Sequence, residues 1–482
     1  MGLSLTRDDH PALLRPEYIR VSLWAVFGLW LARRLARLFL LIVRSPSAVI
    51  GVTVATAGVL GWQLIHPALP LSVLGATVAG LMVWRVRWPG SFEPQVHLRW
   101  RSWWRGQLIY RGRWAAAMDT AGLTVERHST DFIPPLLKIR STRSVDRITV
   151  KMLAGQTIED YGTVADRLAQ TFGAADCRAR SVRRRRHLVE LWLLIRDPLE
   201  KVVRPVEPDP DALTKGIPVA LAEDGMVWRL LVRGLHVLIV GVTGAGKASV
   251  IWAIIAGLVP FIRSGLVNLW VIDPKGGIEL APGRHLFTRF AHGDAKSDGG
   301  YENSLAELLE DAVAVMRERL DRMRGITRSH TPTTDEPLIV LIVDELAALT
   351  AWVNDRTAKK RIDSALSLLL SQGRAAGVVV VGAVQDPRKD VIPQRDLFPV
   401  RIGLRMSEAE HVTLVLGQGA RNRGAYCDLI PDTMPGVGYV VVDGIAEPIR
   451  VRFAFHTDDD LARLGQVPAP VLALPSPQTD AA

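Results

Sequence analysis

Residues 236–249 read His-Val-Leu-Ile-Val-Gly-Val-Thr-Gly-Ala-Gly-Lys-Ala-Ser, and this stretch decides the fold. The apolar run Val237–Val240 predicts a strand, and the apolar residues at 250–258 predict a helix. Between them lies the spacing G-x-x-x-x-G-K, which is typical of a phosphate-binding loop between a strand and a helix. A glycine turn formed by chance needs neither this spacing nor the lysine, so the sequence favours a phosphate-binding loop.

The chemistry of such a loop assigns the candidate nucleotide-binding residues. Glycines allow backbone N–H groups to converge on phosphate oxygens, and the helix N-terminus adds its partial positive charge. Lys247 is expected to reach the β- and γ-phosphates. One position departs from the pattern, because Ala248 stands where a Ser or Thr hydroxyl normally binds Mg²⁺, and Ser249 lies one residue late. The predicted nucleotide-binding residues are Gly241, Val242, Thr243, Gly244, Ala245, Gly246, Lys247, Ala248 and Ser249.

A second motif follows at residues 338–346, which read Leu-Ile-Val-Leu-Ile-Val-Asp-Glu-Leu. The unbroken apolar run predicts a strand that is buried on both faces of a parallel sheet. It ends at Asp344 and Glu345, at the strand end where open α/β sheets bind their ligands. We expect Asp344 to bind Mg²⁺, directly or through water, and Glu345 to polarise the attacking water. An acidic strand end is a weak signal alone, and the phosphate-binding loop upstream makes it a strong one.

Two further apolar runs, Val267–Asp273 and Val378–Val384, predict strands of the same sheet. The second run ends at Gln385, which is expected to sense the γ-phosphate or to orient water. The alternative is that Gln385 is only a polar residue at a strand end. Amphipathic segments at residues 304–323 and 359–374 predict covering helices. The predicted fold class is therefore α/β.

Several other motifs carry a family resemblance. They are Ile272-Asp-Pro-Lys-Gly-Gly-Ile-Glu-Leu280, Gly373-Arg-Ala-Ala-Gly377, Gly382-Ala-Val-Gln385, Leu416-Gly-Gln-Gly419 and Glu447-Pro-Ile-Arg-Val-Arg452. Together with residues 236–247, they resemble the motor of the FtsK/SpoIIIE double-stranded DNA translocases, in family order over residues 216–455. The Asp-Pro-Lys and Gly-Arg-Ala-Ala-Gly signatures are much more specific than a phosphate-binding loop. Within the family, the arrangement is most similar to the compact transfer proteins of actinobacterial plasmids and integrative elements.

The resemblance implies a RecA-like motor that hydrolyses ATP with Mg²⁺ and pumps double-stranded DNA. It also implies a homo-oligomer, usually a hexameric ring, in which Arg374 acts across a subunit boundary as an arginine finger. The alternative for Arg374 is that it only caps its own helix. Two positions depart from the family pattern. One is Ala248, and the other is Asp386-Pro387-Arg388, where the family continues after Gln385 with a basic sequence like Arg-Pro-Ser.

Composition limits the possible classes of protein. The chain of 482 residues has only two cysteines, Cys177 and Cys427, which excludes a disulfide framework and predicts reduced cytosolic thiols. The length predicts two soluble domains with an accessory segment. The formal net charge is +10, and residues 1–113 account for all of it, with fourteen arginines, no lysine and four acidic residues. Because residues 114–482 are neutral, the net charge is no evidence for nucleic-acid binding.

Residues 1–113 form the predicted membrane anchor. The uncharged run at residues 47–65 and the shorter run at residues 69–84 approach the length of about 20 residues that spans a bilayer. Arginines flank the pair on both sides and the link between the runs has none, so the positive-inside rule predicts a transmembrane hairpin with cytoplasmic flanks. Arginines interrupt residues 21–43, which predicts an interfacial amphipathic helix. A buried soluble hairpin is the alternative.

These features predict a multi-pass protein of the inner (plasma) membrane with both termini and the motor in the cytoplasm. Between membrane and motor, residues 114–200 alternate strand-like and helix-like stretches, which predicts a small α+β domain. Strands are expected at residues 148–153 and 187–195, with a helix at 157–172 between them. The basic run at residues 178–186 either contacts phosphates or anionic lipid, or is a solvated loop.

The remaining boundaries follow from composition. Prolines mixed with acidic residues at 201–215 predict a linker. The motor is predicted at residues 216–466, and the Pro- and Ala-rich tail at 467–482 is predicted to be disordered.

The sequence therefore predicts a membrane-anchored ATPase that translocates double-stranded DNA during conjugation of a plasmid or integrative element. The alternative is an ATPase that drives protein secretion. Such ATPases usually carry several motor modules in tandem, and this chain has one phosphate-binding loop. A third hypothesis, motivated by Ala248, is a nucleotide-binding scaffold with little turnover.

Overall fold

A computed structural model describes Thr56 and residues 69–465, except for 128, 129, 183, 294–299, 389, 390 and 446. The predicted interfacial helix at residues 21–43 and the predicted tail at 467–482 lie outside the described residues. The same holds for the predicted span at residues 47–65, apart from Thr56. The chain divides into two compact units, Met1–Arg101 and Ser102–Ala482.

The described part of the first unit is helical. It contains α1 (Leu69–Arg87), α2 (Pro89–Phe92), a π-helical segment (Glu93–His97) and the start of α3 (Leu98–Arg105). Helix α1 covers the second predicted membrane span, at residues 69–84. Among the helices that the structure describes, we find none that is both long enough and apolar enough to span a bilayer. The transmembrane hairpin therefore stays a prediction.

The second unit begins with a small α+β arrangement. In chain order its elements are a π-helical segment (Gly106–Arg111), α4 (Gly112–Thr120), β1 (Val125–Arg127), β2 (Thr130–Phe132), β3 (Leu136–Ser141), β4 (Val145–Lys151), α5 (Ile158–Thr163), α6 (Ala165–Phe172), β5 (Asp176–Ser181) and β6 (Leu188–Leu194). Strands β1 and β2 form a hairpin, and β3, β4, β6 and β5 form an antiparallel sheet in that order. Tyr110, Trp114 and Phe172 pack against this sheet in one apolar core.

The prediction of one continuous helix at residues 157–172 is wrong, because the structure has two helices there, α5 and α6. Val164 between them has φ −107° and ψ 7°, and its N–H donates to the carbonyl of Gly162. A glycine inside a helix is unfavourable because it loses more backbone entropy than other residues, which favours a break here. Helix α5 begins at a capping box, in which Asp160 accepts a hydrogen bond from the Thr157 backbone N–H (2.7 Å).

Ten strands form the larger sheet of the second unit. In chain order they are β7 (Ile217–Ala222), β8 (Val227–Leu230), β9 (Val237–Val240), β10 (Val267–Asp273), β11 (Phe287–His292), β12 (Leu338–Val343), β13 (Val378–Val384), β14 (Val400–Gly403), β15 (Val437–Val442) and β16 (Ile449–Phe453). Their order across the sheet is β11-β10-β12-β13-β9-β14-β15-β16-β7-β8. The six strands from β11 to β14 are parallel, and the other pairings are antiparallel. The sheet is therefore mixed, and antiparallel strands extend the predicted parallel half.

Helices cover both faces of the larger sheet. In chain order they are α7 (Ala212–Lys215), α8 (Lys247–Arg263), α9 (Gly300–Met323), α10 (Ala347–Thr350), α11 (Arg356–Gln372), α12 (Ala409–Leu416) and α13 (Asp458–Gly465), with 3₁₀ turns at Ala281–Leu286, Arg395–Leu397 and Cys427–Leu429. Helix α8 belongs to the apolar core on one face, and α9 and α11 belong to the core on the other. Every residue of β9, β10, β12 and β13 is buried, as the apolar runs predict.

The predicted linker at residues 201–215 is partly structured. Val203 pairs with Ala454 in a β-bridge beside the larger sheet, and α7 ends the segment. The prolines and acidic residues of this stretch therefore lie between the β-bridge at Val203 and helix α7.

Ion pairs join the four-stranded sheet to the larger sheet. Arg178 of β5 is nearly buried and contacts Glu223 (2.9 Å) and the hydroxyl of Tyr439 (3.2 Å). Arg180 contacts the other carboxylate oxygen of Glu223 at 2.6 Å. The prediction for the basic run is therefore wrong at these two arginines, because a carboxylate inside the protein holds both. Of the rest of the run, the described residues 184–186 are exposed.

Candidate nucleotide-binding site

The predicted site residues converge where three neighbouring parallel strands end. Strand β13 lies between β9 and β12 in the sheet. The glycine loop follows β9, Gln385 follows β13, and Asp344 and Glu345 follow β12. Because the carboxyl ends of parallel strands meet at one edge of the sheet, all these side chains reach one crevice. Residues that are far apart in the chain thus form one site.

The glycine loop has a backbone that only glycine can adopt at its last turn. Gly246 has φ +95°, and a Cβ at this position would lie 2.3 Å from the backbone N of Gly436. The N–H of Gly436 in turn donates to the carbonyl of Ala245 (2.9 Å), which fixes the loop. The hydrogen bond from Val250 to the carbonyl of Gly246 (3.4 Å) is a helical i→i−4 bond at the start of α8. The N–H groups of the three residues before Val250 belong to the first turn and lack such partners, so they can bind phosphate oxygens.

Lys247 folds back over the loop. Its Nζ donates to the carbonyl oxygens of Gly241 (2.9 Å) and Val242 (3.5 Å). Burial lowers the pKa of Lys247, and the nearby ammonium of Lys275 lowers it further. A phosphate oxygen would offer this ammonium a stronger, charge-assisted hydrogen bond than a carbonyl does. The lysine is therefore placed to exchange loop carbonyls for nucleotide phosphates.

The two carboxylates after β12 are almost fully buried, with 1% of each residue exposed. Asp344 accepts a hydrogen bond through Oδ2 from the ammonium of Lys275 at 2.8 Å. Glu345 accepts a weak hydrogen bond through Oε1 from the backbone N–H of Ala347 at 3.4 Å. Burial raises the pKa of Glu345. A carboxylate with a raised pKa is a better proton acceptor, which suits the predicted role of polarising water.

Gln385 joins the end of β13 to the glycine loop. Its Oε1 accepts a hydrogen bond from the hydroxyl of Thr243 at 3.0 Å. The next residues form a local ion pair, in which Arg388 Nε contacts Asp386 Oδ2 at 2.8 Å. The Asp-Pro-Arg sequence that departs from the family pattern therefore forms an ion pair within itself. Gln385 stays in contact with the glycine loop.

The donor set fits a magnesium ion. In the described part of the chain, Oδ1 of Asp344 and Oε2 of Glu345 are buried and have no hydrogen-bond partner. Carboxylate oxygens are preferred Mg²⁺ ligands, and the metal keeps several waters when the protein supplies few ligands. Ala248 supplies none, and its methyl group packs against the apolar core that contains α8. Asp344 would therefore hold the metal, with water in place of the usual loop hydroxyl.

Two residues of the site were not predicted from the sequence. One is Lys275, the last residue of the Asp-Pro-Lys motif, which served only as evidence for the resemblance. The other is Arg405, after β14, which donates through Nη2 to the carbonyl of Thr243 (3.2 Å) and contacts Asp432 (2.7 Å) through Nη1. Each is a basic residue two positions after a strand end, and this placement alone does not specify what the side chain contacts.

Arg374 does not join this group. It lies before β13 and Gln385 lies after it, so the two residues are at opposite edges of the sheet, about 20 Å apart for a strand of this length. The side chain is exposed, and its Nε donates to the carbonyl of Gly234 at 2.8 Å. Within one subunit, Arg374 therefore does not contact the nucleotide site.

Comparison with known proteins agrees with this geometry. Residues 204–330, which include the glycine loop and the Asp-Pro-Lys motif, match the FtsK/SpoIIIE family. The chain contains an FtsK/SpoIIIE domain. Transfer protein TraSA of Streptomyces ambofaciens is 28% identical over 381 residues, which cover 72% of this chain and 88% of that protein. The DNA translocase FtsK of Corynebacterium glutamicum is 26% identical over 245 residues, which cover 47% of this chain and 25% of that protein.

Among solved structures, the pCW3 conjugation coupling protein TcpA, in a monomer form with ATPgS, is similar with a TM-score of 0.46 and 18% identity. The similarity covers 73% of this chain and 98% of that chain. The chain spans about a quarter of the length of the FtsK translocase that it matches.

The FtsK/SpoIIIE domain and its site identify the chain as an ATPase. Lys247 and the loop N–H groups suit the phosphates, Asp344 suits the metal, and Glu345 suits the attacking water. All of these groups follow strands of one sheet, β9 and β12.

Proposed function

We propose that the chain is an ATP-driven translocase of double-stranded DNA that acts in conjugative transfer of a plasmid or integrative element. The observation that carries the proposal is the convergence of Lys247, Asp344, Glu345 and Gln385 at the ends of β9, β12 and β13. The FtsK/SpoIIIE match supports the coupling of this site to DNA. The similarity to a transfer protein over 72% of the chain supports a role in transfer.

The residues of the site divide the work of hydrolysis. Lys247 and the loop N–H groups bind and orient the phosphates, which places the γ-phosphate opposite Glu345. Glu345 then accepts a proton from the attacking water. When bound at Asp344, Mg²⁺ neutralises charge on the β- and γ-phosphates. Gln385, through Thr243, connects the loop to the end of β13, so it responds directly to a change in the loop.

The position of Arg374 supports a homo-oligomer. This exposed arginine lies at the sheet edge opposite its own nucleotide site, so a role as an arginine finger requires the nucleotide site of another copy. A guanidinium that neutralises charge in the transition state accelerates phosphoryl transfer strongly in other ATPases and GTPases. We infer a ring, hexameric as in the family that the sequence resembles, in which each site is completed by a neighbour.

The membrane anchor is also part of the proposal. The uncharged run at residues 47–65 and the arginines that flank it support insertion with cytoplasmic flanks. Residues 69–84 would complete a hairpin. In this arrangement both termini and the ATPase face the cytoplasm, where ATP and DNA are available.

The test is ATP hydrolysis by the full-length chain in detergent, with and without duplex DNA of arbitrary sequence. Duplex DNA should stimulate turnover, and the stimulation should weaken as salt rises, because contacts to DNA phosphates release counterions. The E345Q variant should bind ATP and fail to hydrolyse it. The matched control is E318Q, because Glu318 is an exposed residue of α9 that pairs with Arg322.

Each other outcome identifies a different function. If a polypeptide stimulates turnover and duplex DNA does not, the protein is a secretion ATPase. If the protein binds nucleotide but its turnover stays negligible with both duplex DNA and a polypeptide, the protein is a nucleotide-binding scaffold. Turnover by E345Q at the wild-type rate would show that the second motif is wrongly assigned.

A further inference from the structure

Lys275 lies on a short loop that is fixed at both ends. The loop follows β10, and the buried carboxylate of Asp273 accepts hydrogen bonds from the backbone N–H groups of Lys275 (3.1 Å) and Leu280 (3.2 Å). One carboxylate therefore closes the loop between these two residues. The closure directs the Lys275 side chain across the sheet edge toward the end of β12.

The ammonium of Lys275 neutralises the carboxylate of Asp344, which is the candidate metal ligand. Its Nζ lies 2.8 Å from Asp344 Oδ2 and 3.5 Å from Glu279 Oε1. The Asp344 side chain is 1% exposed, and the Lys275 side chain is 34% exposed. A buried carboxylate needs hydrogen bonds or a nearby cation, and at Asp344 the chain supplies the cation itself. The ammonium of Lys275 can reach solvent when it leaves Asp344, whereas the carboxylate of Asp344 stays buried.

Ala248 also weakens the preference of the site for Mg²⁺. A loop hydroxyl would add one more ligand for Mg²⁺, so it would favour the metal over Lys275 at Asp344. The chain lacks that hydroxyl, and it has an ammonium within hydrogen-bond distance of the remaining metal ligand. Both features weaken the site's preference for Mg²⁺.

We propose that Lys275 competes with Mg²⁺ for Asp344, because the positive ammonium at Oδ2 repels a metal that approaches the free Oδ1 of the same carboxylate. Lys275 is thus a residue that determines how strongly nucleotide binding depends on Mg²⁺. Competition at Asp344 concerns only nucleotide and metal binding, so it can hold or fail whether or not the protein moves DNA.

The experiment measures the affinity of the full-length chain for a fluorescent, non-hydrolysable ATP analogue in Mg²⁺ and in EDTA. The ratio of the two affinities reports how much the metal contributes. In K275Q this ratio should rise by about tenfold or more, which corresponds to the loss of one charge-assisted hydrogen bond to Asp344. K275R keeps the positive charge and should keep the wild-type ratio.

The matched control is K215Q. Lys215 also lies 2.8 Å from an aspartate, Asp211, but this pair is exposed on α7. Its substitution should leave the ratio unchanged. An unchanged ratio in K275Q would overturn the proposal. A lower ratio would show that Lys275 assists the metal and does not compete with it.

A second measurement uses only the wild-type protein without nucleotide. Acylation of lysines by an amine-reactive ester, followed by mass spectrometry, reports whether each ammonium is engaged. High Mg²⁺, compared with Na⁺ at the same ionic strength, should raise acylation of Lys275 severalfold and leave Lys215 unchanged. Equal acylation of Lys275 in the two salts would contradict displacement by the metal, even if K275Q proved unstable.

Discussion

Ala248 is the residue at which the loop departs from its expected chemistry. Its methyl group packs beside the core of α8, and the position lies in the first turn of that helix. A serine there is nearly the same size and adds one hydroxyl that can bind Mg²⁺. The A248S variant should therefore raise the apparent affinity for Mg²⁺ severalfold and should not lower turnover. The measurement is ATPase rate against Mg²⁺ concentration.

The control for this variant is A256S, on the same helix and half-buried but away from the loop. It should change neither the Mg²⁺ affinity nor the rate. A clear loss of both in A248S alone would mean that the loop is built around alanine and that the metal is held in another way.

The role of a site residue could be predicted from the sequence where a local motif, with a fixed residue type at a fixed spacing, specifies that role. Lys247, Asp344, Glu345 and Gln385 were assigned from local motifs, and the structure brings them to one sheet edge. Lys275 was not assigned, because its role depends on an aspartate 69 residues away in the chain. Such a contact follows from the strand order and has no local pattern.

At the scale of elements, the residue just before β9 is a histidine whose protonation is linked to folding. His236 is fully buried, and its Nδ1 accepts a hydrogen bond from the backbone N–H of Val380 at 3.0 Å. Burial lowers its pKa to about 4, and the charge of Arg374 contributes. The imidazole of His236 is therefore neutral in the folded chain, and its protonation favours the unfolded chain.

The sign of the pH effect follows directly. Below the unfolded pKa of about 6.5 the unfolded chain binds a proton that folded His236 rejects, so stability falls as the pH drops toward 4. Between pH 7 and pH 5 this histidine should cost about 2 kcal/mol of unfolding free energy. Urea unfolding at both pH values measures it. H236Q should be less stable at pH 7 and should lose less on acidification.

The control is H285Q, because His285 is exposed in the described structure. This variant should show the wild-type pH dependence. If H236Q loses as much stability on acidification as the wild type, another group is responsible for the acid sensitivity.

Elements were predicted best where burial is complete. Strands β10 and β13 have the bounds that their apolar runs predict, because every residue of each is buried. Helices were less well bounded, since α9 begins four residues before the predicted 304–323 and α11 ends before Arg374. The antiparallel strands are shorter and half-exposed in places, such as β8 and β16, and their sequences do not separate them from loops.

At the scale of the whole molecule, the position of Arg374 predicts how copies cooperate. R374A should bind nucleotide with wild-type affinity and lose turnover, because Arg374 lies far from its own nucleotide site and is proposed to act on a neighbouring one. K247A should lose nucleotide binding. Mixing the two variants should restore part of the activity, since some interfaces then join an intact site to an intact arginine. The measurement is ATPase rate across mixing ratios at constant total protein.

The control arginine is Arg324, whose side chain is 80% exposed and pairs with the nearby Asp321. R324A should retain turnover alone. A mixture of R374A and K247A that stays inactive at every ratio, with both proteins folded, would remove Arg374 from the catalytic assignment.

The arginine that joins the two sheets has a mechanical consequence. Arg178 of the small sheet contacts Tyr439 on β15, β15 pairs with β14, and the residue after Leu404, Arg405, holds the glycine loop. This path from the small sheet to the glycine loop contains the ladder between β14 and β15, with a side-chain hydrogen bond at each end, from Arg178 to Tyr439 and from Arg405 to Thr243. A displacement of the small sheet should therefore reach the glycine loop, and the two sheets should move together.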